Sequence, residues 1–333
     1  MITRRAALGT LAGSALAGGL PAPSVAQSKQ KQVAVVVKIG GIPWFNAMEV
    51  GIKRAAQETG VNAWMIGPTQ ADAAQQVRAV EDLIARRVDV IAVVPNDATA
   101  LQPVFQRAQA AGIKVITHES PDQQNNDWDI ELTTIDAYGR QHMDLLAKEM
   151  GGRGKYMVIV GSLTVPLHNK WADASIAWQK EKYPDMQLAA DRFGVGESVD
   201  ASYTTVLDQI RARPDLKGIL AYGSQGPIGA ARALDERDRA KQIALVGSFS
   251  PGQGARYVRN GTIRGGYIWN PMLAGETIVR VGAMLADGKQ PTQGMVLPGL
   301  GAVQVDPERR LIQAQKLEPL DRENIGKLVE LGL

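Results

Sequence analysis

Short runs of apolar residues alternate with longer segments of helical spacing, and this alternation most constrains the fold. The runs 33–37, 62–67, 90–94 and 113–117 read as strands. Between them, 46–59 places Met48, Ile52 and Ala55 on one helical face, and Gly60 ends it. Segment 73–87 carries Val77, Val80 and Ile84 at helical spacing, and 100–111 carries Leu101, Val104, Phe105 and Ala108. Gly112 suits the position after that helix. Strands alternating with amphipathic helices predict a parallel, doubly wound sheet. Near-continuous apolar strands are those covered on both faces.

The pattern stops in the polar stretch 122–129, which reads as a crossing to a second lobe, and then restarts. Helices are expected over 136–150, 170–182, 198–211, 227–237, 253–260 and 273–286. Strands are expected over 156–160, 188–193, 218–222, 243–246 and 263–269. A chain of 333 residues suits about two domains. Two α/β halves facing one another form a common arrangement for a ligand site.

The strand ends carry the polar residues. Lys38, Gly67-Pro68-Thr69, Pro95-Asn96-Asp97 and His118-Glu119-Ser120 end the strands of the first half. In open α/β sheets ligands bind outside these carboxyl ends. The stretch from Lys38 to Asn46 places a cation, two glycines, a proline and the pair Trp44-Phe45 in one strand-to-helix turn. Aromatics are only 5% of the chain, so this pair reads as a cleft wall. The competing reading is that the two rings only pack the base of the next helix.

Other chemistries fit poorly. With 37 basic and 34 acidic residues, the near-balanced charge argues against a nucleic-acid surface. Without cysteine there is no disulfide, zinc-thiolate site or thiol nucleophile. Tyr222-Gly223-Ser224-Gln225-Gly226 lacks the first glycine of a hydrolase elbow. Three histidines without ligand spacing make no metal site, and no cofactor is expected. No carboxylate pair is placed for glycoside hydrolysis, and His142 lies mid-helix. What remains suits recognition of a small polyhydroxylated molecule: aromatics stack on sugar faces, while carboxylates, amides and lysine bind hydroxyls. At the N-terminus, Arg4-Arg5, a weakly apolar run to Leu20 and Ser24-Val25-Ala26 read as a twin-arginine export signal over 1–26. A periplasmic protein starting near Gln27 is expected.

Taken together, the segments 35–38 with Trp44-Phe45, Gly67-Pro68-Thr69, 117–120, Asn169-Lys170-Trp171, 246–251, Ile268-Trp269-Asn270 and 323–327 resemble class I periplasmic binding proteins of sugar ABC importers. Within that family the chain resembles the branch of rhamnose-binding and autoinducer-2-binding proteins. The resemblance implies an α/β fold of two Rossmann-like, doubly wound lobes joined by a three-crossing hinge, near Ser120, Asn270 and Gln293. Lobe one is then 27–120 plus 270–292, and lobe two 121–269 plus 293–333. The family implies ligand contacts from Lys38, Trp44, Phe45 and Glu119 in lobe one. Opposite them it implies His168, Asn169, Tyr222, Ser224, Phe249, Trp269 and Asn270. The autoinducer-2 pattern has an Asp-Gln pair where this chain has Leu167-His168, aspartate where it has Glu119 and Asn270, and Pro-Asp-Ala where it has Tyr222-Gly223-Ser224. These differences point towards a rhamnose-like sugar, another sugar or a polyol. The resemblance further implies a monomeric, non-enzymatic carbohydrate receptor with ABC permease subunits as partners. A sensor subunit, a LacI-type regulator and an enzyme are the competing classes.

Overall fold

The computed structural model describes residues 29–333. The expected export signal over 1–26 lies outside the described residues. From its first strand the chain runs β1 (Gln32–Val36), α1 (Pro43–Thr59), β2 (Asn62–Ile66), α2 (Ala73–Arg86), β3 (Val90–Val93), α3 (Ala98–Ala110), β4 (Lys114–His118) and β5 (Trp128–Glu131). It continues through α4 (Ile135–Met150), β6 (Gly154–Val160), α5 (Pro166–Lys182), β7 (Met186–Leu188), β8 (Phe193–Gly194), α6 (Val199–Ala212), β9 (Leu216–Ala221), α7 (Gly226–Glu236) and β10 (Ala244–Gly247). Then come α8 (Pro251–Asn260), β11 (Ile263–Gly265), β12 (Tyr267–Ile268), α9 (Pro271–Ala286), β13 (Val296–Leu297) and β14 (Gly301–Ala302). The last elements are β15 (Gln304–Asp306), β16 (Leu311–Gln313), β17 (Glu318–Pro319) and α10 (Ile325–Glu330).

Two sheets form. The first has the order β15-β16-β5-β4-β3-β1-β2 and the second β11-β10-β9-β6-β7, with β8 also on β6. The β2-β1-β3-β4-β5 core of the first sheet is parallel, and the second sheet is parallel throughout. The alternating strand pattern explains why helices cover both faces. Along β1, Val33 and Val35 enter one core cluster, while Ala34 and Val36 enter another with Val80, Leu83, Leu101 and Phe105 from α2 and α3. α1 and α9 pack on each other on the first of these faces. Full burial of a valine or leucine contributes about 1.5–3 kcal/mol, so these two-sided strands hold the sheet. Asp72 and Asp97 accept from the opening amides of α2 and α3, which fixes where those helices begin. Among the described residues, no helix is long and apolar enough to cross a membrane.

Several boundaries differ from the sequence-based ones. Helices α1, α5, α8 and α9 start on a proline, earlier than periodicity alone predicts. Proline is pre-set for the first helical position. Trp44 and Phe45 therefore belong to the first turn of α1, and Leu167, His168 and Asn169 to the first turn of α5. The strand expected over 188–193 divides into β7 and β8, and that over 263–269 into β11 and β12, with Gly265 at φ +143° at the second break.

The sheet pairings also move the lobe boundaries. β5 pairs with β4, so the first crossing falls at 132–134 rather than near Ser120. β15 and β16 join the first sheet, so the last crossing lies at 314–317 rather than near Gln293. Only from β17, paired to β12, does the C-terminal part return to the second lobe. The middle crossing lies at Trp269 and Asn270, between β12 and α9. The three crossings lie side by side: Lys316 N–H donates to Leu132 O at 2.9 Å, and Tyr267-Ile268 pairs with 318–319.

Candidate functional site

The carboxyl ends of both sheets face a common cavity, and Lys38 is at its centre. Its backbone is fixed from behind by two buried amides. Gln76 Nε2 donates to Val37 O and Val94 O, Gln76 Oε1 accepts from Asn96 N–H, and Asn96 Nδ2 donates to Lys38 O at 2.9 Å. The ammonium is thereby aimed out of the β1 end. Its side chain is 4% exposed, with Nζ 2.7 Å from Glu119 Oε2 and 3.2 Å from Glu197 Oε1.

Glu119 follows β4 with φ +62°, a left-handed conformation that a glutamate rarely adopts. Such strain collects where a side chain must be held in place. Glu197 comes from the other lobe, in the loop between β8 and α6. Its neighbour Gly196 donates to Val160 O at 2.8 Å and accepts from Gly226 N–H at 2.9 Å. A side chain at Gly196 would meet Tyr222 O at 2.4 Å, so only glycine lets that loop pass between the strand ends.

His168, in the first turn of α5, completes the polar centre. Gly161 N–H donates to its Nδ1 at 3.1 Å. Nδ1 is therefore the acceptor, and in the neutral ring Nε2 carries the hydrogen. That turns the N–H towards Glu119, with Nε2 3.6 Å from Oε2, while the Lys38 ammonium, itself a donor, lies 3.1 Å from Nε2 without a hydrogen bond between them.

The charges follow from burial and pairing. Burial acts to lower the Lys38 pKa, but Glu119 and Glu197 outweigh it and hold the value above the ordinary one. Burial pushes Glu119 up, yet Lys38 and the His168 hydrogen bond carry it well below the usual carboxylate range. Burial, reinforced by Lys38, lowers His168, so the ring is neutral at physiological pH. The same causes, burial first, lower His118.

Aromatic rings form the walls. Trp44 meets Trp269 edge-on at 5.5 Å, Trp269 lies 5.2 Å from Trp171, and His168 stacks on Trp171 at 5.1 Å. Tyr138 packs 4.4 Å from Trp171 and donates to Tyr267 O at 2.9 Å. The indole Nε1 atoms of Trp171 and Trp269 are buried without a hydrogen-bond partner among the described residues. The cavity volume between these walls is only about 20 Å³, so in this structure the two lobes are shut tightly on the site.

Seven residues expected from the sequence line this cavity: Lys38, Trp44, Phe45, Glu119, His168, Ser224 and Trp269. Trp44 and Phe45 are 5% and 1% exposed, so they pack the helix base and line the cavity at once. Four others do not line it. Asn169 is turned back, with Nδ2 donating to Ser162 O and Val165 O and Oδ1 accepting from Arg192. Tyr222 lies a layer behind, its hydroxyl on Ser175 at 2.6 Å. Phe249 is fully buried and packs over Gly254, where a side chain would meet its ring. Asn270 Oδ1 accepts from Met272 N–H and caps α9.

Ile42, Tyr138, Trp171, Glu197, Gly223 and Ser248 also line the cavity and were not anticipated. A signal existed for Trp171. Once α5 starts at Pro166, positions 168 and 171 share a helical face. Glu197 had a weaker one, as the polar residue after Gly194-Val195-Gly196 at a strand-to-helix turn.

Two doubly wound lobes, three adjacent crossings and a buried polar cavity between the sheet ends define a bilobal receptor fold. The periplasmic binding protein domain family matches residues 33–290, and the chain belongs to that family. Among curated relatives, it is 26% identical over 264 residues to the D-ribose/D-allose-binding protein of Pseudomonas aeruginosa, covering 74% of this chain and 80% of that one. It is 24% identical over 240 residues to the ribose import binding protein RbsB of Salmonella typhimurium, covering 69% and 76%. Among solved structures, an ABC transporter solute-binding protein from Clostridium phytofermentans with bound L-rhamnose aligns with a TM-score of 0.84 at 21% identity, over 91% of this chain and 99% of that one. LsrB from Clostridium saccharobutylicum in complex with AI-2 aligns at 0.82 and 20%, over 89% and 99%.

Proposed function

We propose that the chain is the exported, periplasmic binding component of an ABC importer, which captures a small carbohydrate between its lobes and delivers it to the membrane permease. The ligand class is a rhamnose-like sugar or a related sugar or polyol. The observation that carries this reading is the cavity itself: three tryptophans and a tyrosine around a polar centre of one ammonium and two carboxylates, with two indole N–H donors free of partners among the described residues. Flat apolar rings suit the faces of a sugar, and the free indole donors and the remaining carboxylate lone pairs suit its hydroxyls. The names of the relatives, which bind ribose, allose or rhamnose, support the same class.

In this reading Lys38, Trp44, Phe45, Glu119, His168 and Trp269 contact the ligand, joined by Trp171, Tyr138 and Glu197. The protein acts as a monomer and carries out no reaction on its ligand. Ligand binding closes the lobes by rotation at the three crossings, and the closed pair of lobe edges is what the permease meets. Structural likeness to LsrB keeps an autoinducer-2-type signal as a second ligand reading, with delivery to a permease or to a membrane sensor decided by which of the two the liganded protein retains in a pull-down.

A thermal-shift screen of pentoses, hexoses, deoxysugars and polyols tests the reading. A true ligand at a hundredfold excess over its dissociation constant stabilises the fold by about 2.7 kcal/mol. A rise in melting temperature with at least one of these compounds is expected. No rise with any of them, alongside a rise with a ligand of another class, overturns the carbohydrate reading.

A further inference from the structure

We propose that Glu197 sets the charge of the cleft and thereby its ligand class: neutral hydroxylated molecules enter, and their carboxylate or phosphate counterparts are turned away. This rests on the carbohydrate reading above and sharpens it.

A lysine at the centre of a cleft suggests, taken alone, a receptor for anions. The geometry argues the opposite. Lys38 is the only lysine or arginine lining the cavity among the described residues. Its ammonium lies between two carboxylates, 2.7 Å from Glu119 and 3.2 Å from Glu197. His168 adds no charge, because Gly161 N–H occupies Nδ1 and the ring is buried. One ammonium against two carboxylates leaves the centre with a net negative charge. An incoming anion finds no free cation and faces a second carboxylate instead.

Glu119 belongs to the same lobe as Lys38, and Glu197 to the other. Glu119 alone balances the lysine within lobe one. Glu197 reaches the ammonium only when the lobes are together, so it is the residue that converts a neutral pair into a negative centre in the closed form. Gly161 makes room for this approach: a side chain there would meet Glu197 Oε1 at 2.6 Å and His168 Nδ1 at 2.7 Å. Glu197 Oε1 is buried, and among the described residues the Lys38 ammonium is the group that reaches it, leaving the carboxylate further lone pairs. A ligand hydroxyl can donate to it, and a ligand carboxylate cannot. The unpartnered Nε1 donors of Trp171 and Trp269 serve neutral ether or hydroxyl oxygens equally well.

The test is isothermal titration of the mature protein with matched probes: D-ribose against D-ribonate, D-arabinose against D-arabinonate, L-rhamnose against L-rhamnonate, D-galactose against D-galacturonate, and xylitol against D-xylonate. Because like charges brought together cost several kcal/mol, the acid is expected to bind about 100-fold more weakly than its neutral partner, or more weakly still. Glu197→Gln is expected to narrow that ratio about tenfold by strengthening the acid. Glu197→Asp keeps the charge and is expected to keep the discrimination. Both variants retain the Lys38–Glu119 pair, and circular dichroism checks their fold. Glu49→Gln, which removes a surface charge on α1 far from the polar centre, controls for net charge alone and is expected to leave the ratio unchanged. An acid bound within about threefold of its neutral partner by the unaltered protein overturns the proposal. So does an unchanged ratio in Glu197→Gln, or an equal narrowing in both Glu197 variants, which marks a merely structural role. If no neutral probe and no acid binds, the carbohydrate reading itself fails.

Discussion

At the scale of single residues, Lys38 holds the two lobes' carboxylates together. Both partners are buried, so removing the ammonium leaves two adjacent acids without compensation. Lys38→Met is expected to cost about 3–5 kcal/mol of unfolding free energy, the usual penalty for breaking a buried pair from one side. Adding Glu197→Gln to that variant is expected to recover part of the loss. Denaturant unfolding of the two single variants and the double variant measures this, and additive losses would show that the three groups do not act as one cluster.

Lys38 and Glu119 were legible in the sequence because both lie just beyond strand ends, which the fold brings to one edge, and Trp44 because it opens the helix that follows the same turn. Glu197 was not. Its approach to Lys38 depends on lobe two folding and meeting lobe one, and nothing local records that. Tyr222 and Phe249 failed for a related reason. Residue type and strand-end position do not say which way a side chain turns, and these two turn into lobe two.

At the scale of elements, the long alternating run of strands and helices was readable, since two-sided burial writes itself into apolar strands. β5 was not readable, because Trp128-Asp129-Ile130-Glu131 alternates apolar and acidic residues and resembles a surface turn. The acids are in fact buried. Asp129 and Glu131 lie on the same side of the strand, and Thr117 donates to Asp129 Oδ1 at 2.6 Å. Asp129 Oδ2 and Glu131 Oε1 find no hydrogen-bond partner among the described residues.

Burial raises the Asp129 pKa from 3.8 to about 7, and burial together with the Asp129 charge raises Glu131 well above its ordinary value. The folded strand therefore retains protons that the unfolded chain releases, starting near pH 4. Stability contributed here is present at low pH and is lost as pH rises towards the folded values. Glu131→Gln removes the like charge and offers an amide to Asp129. It is expected to stabilise the protein by about 1–2 kcal/mol at neutral pH and to flatten the decline between about pH 4 and pH 7. Urea unfolding across that range measures both. A loss of stability at neutral pH would mean that an ionised Glu131 is needed in the folded strand.

At the scale of the whole molecule, two large sheets whose five-stranded parallel cores share one strand order meet at three crossings that lie side by side. α9 returns to pack on α1, and β15–β16 join the first sheet beside β5, so each lobe is assembled from pieces far apart in sequence. The general architecture was legible because each half repeats the same βα pattern. The crossings were harder to place because acidic strand residues at Asp129, Glu131 and Asp306 look like linker. The same assembly puts Trp269 on the middle crossing and in the cavity wall at once.

Of the six tryptophans, Trp44, Trp171 and Trp269 line the cavity. Titration of intrinsic tryptophan fluorescence with neutral sugars and polyols therefore tests the central claim most directly. The account expects a saturable change with at least one of them, displaced by excess of the same compound and lost in Trp269→Ala while the fold is retained. The claim is contradicted if no neutral sugar or polyol alters the emission, or if the change persists undiminished when the cavity tryptophans are replaced.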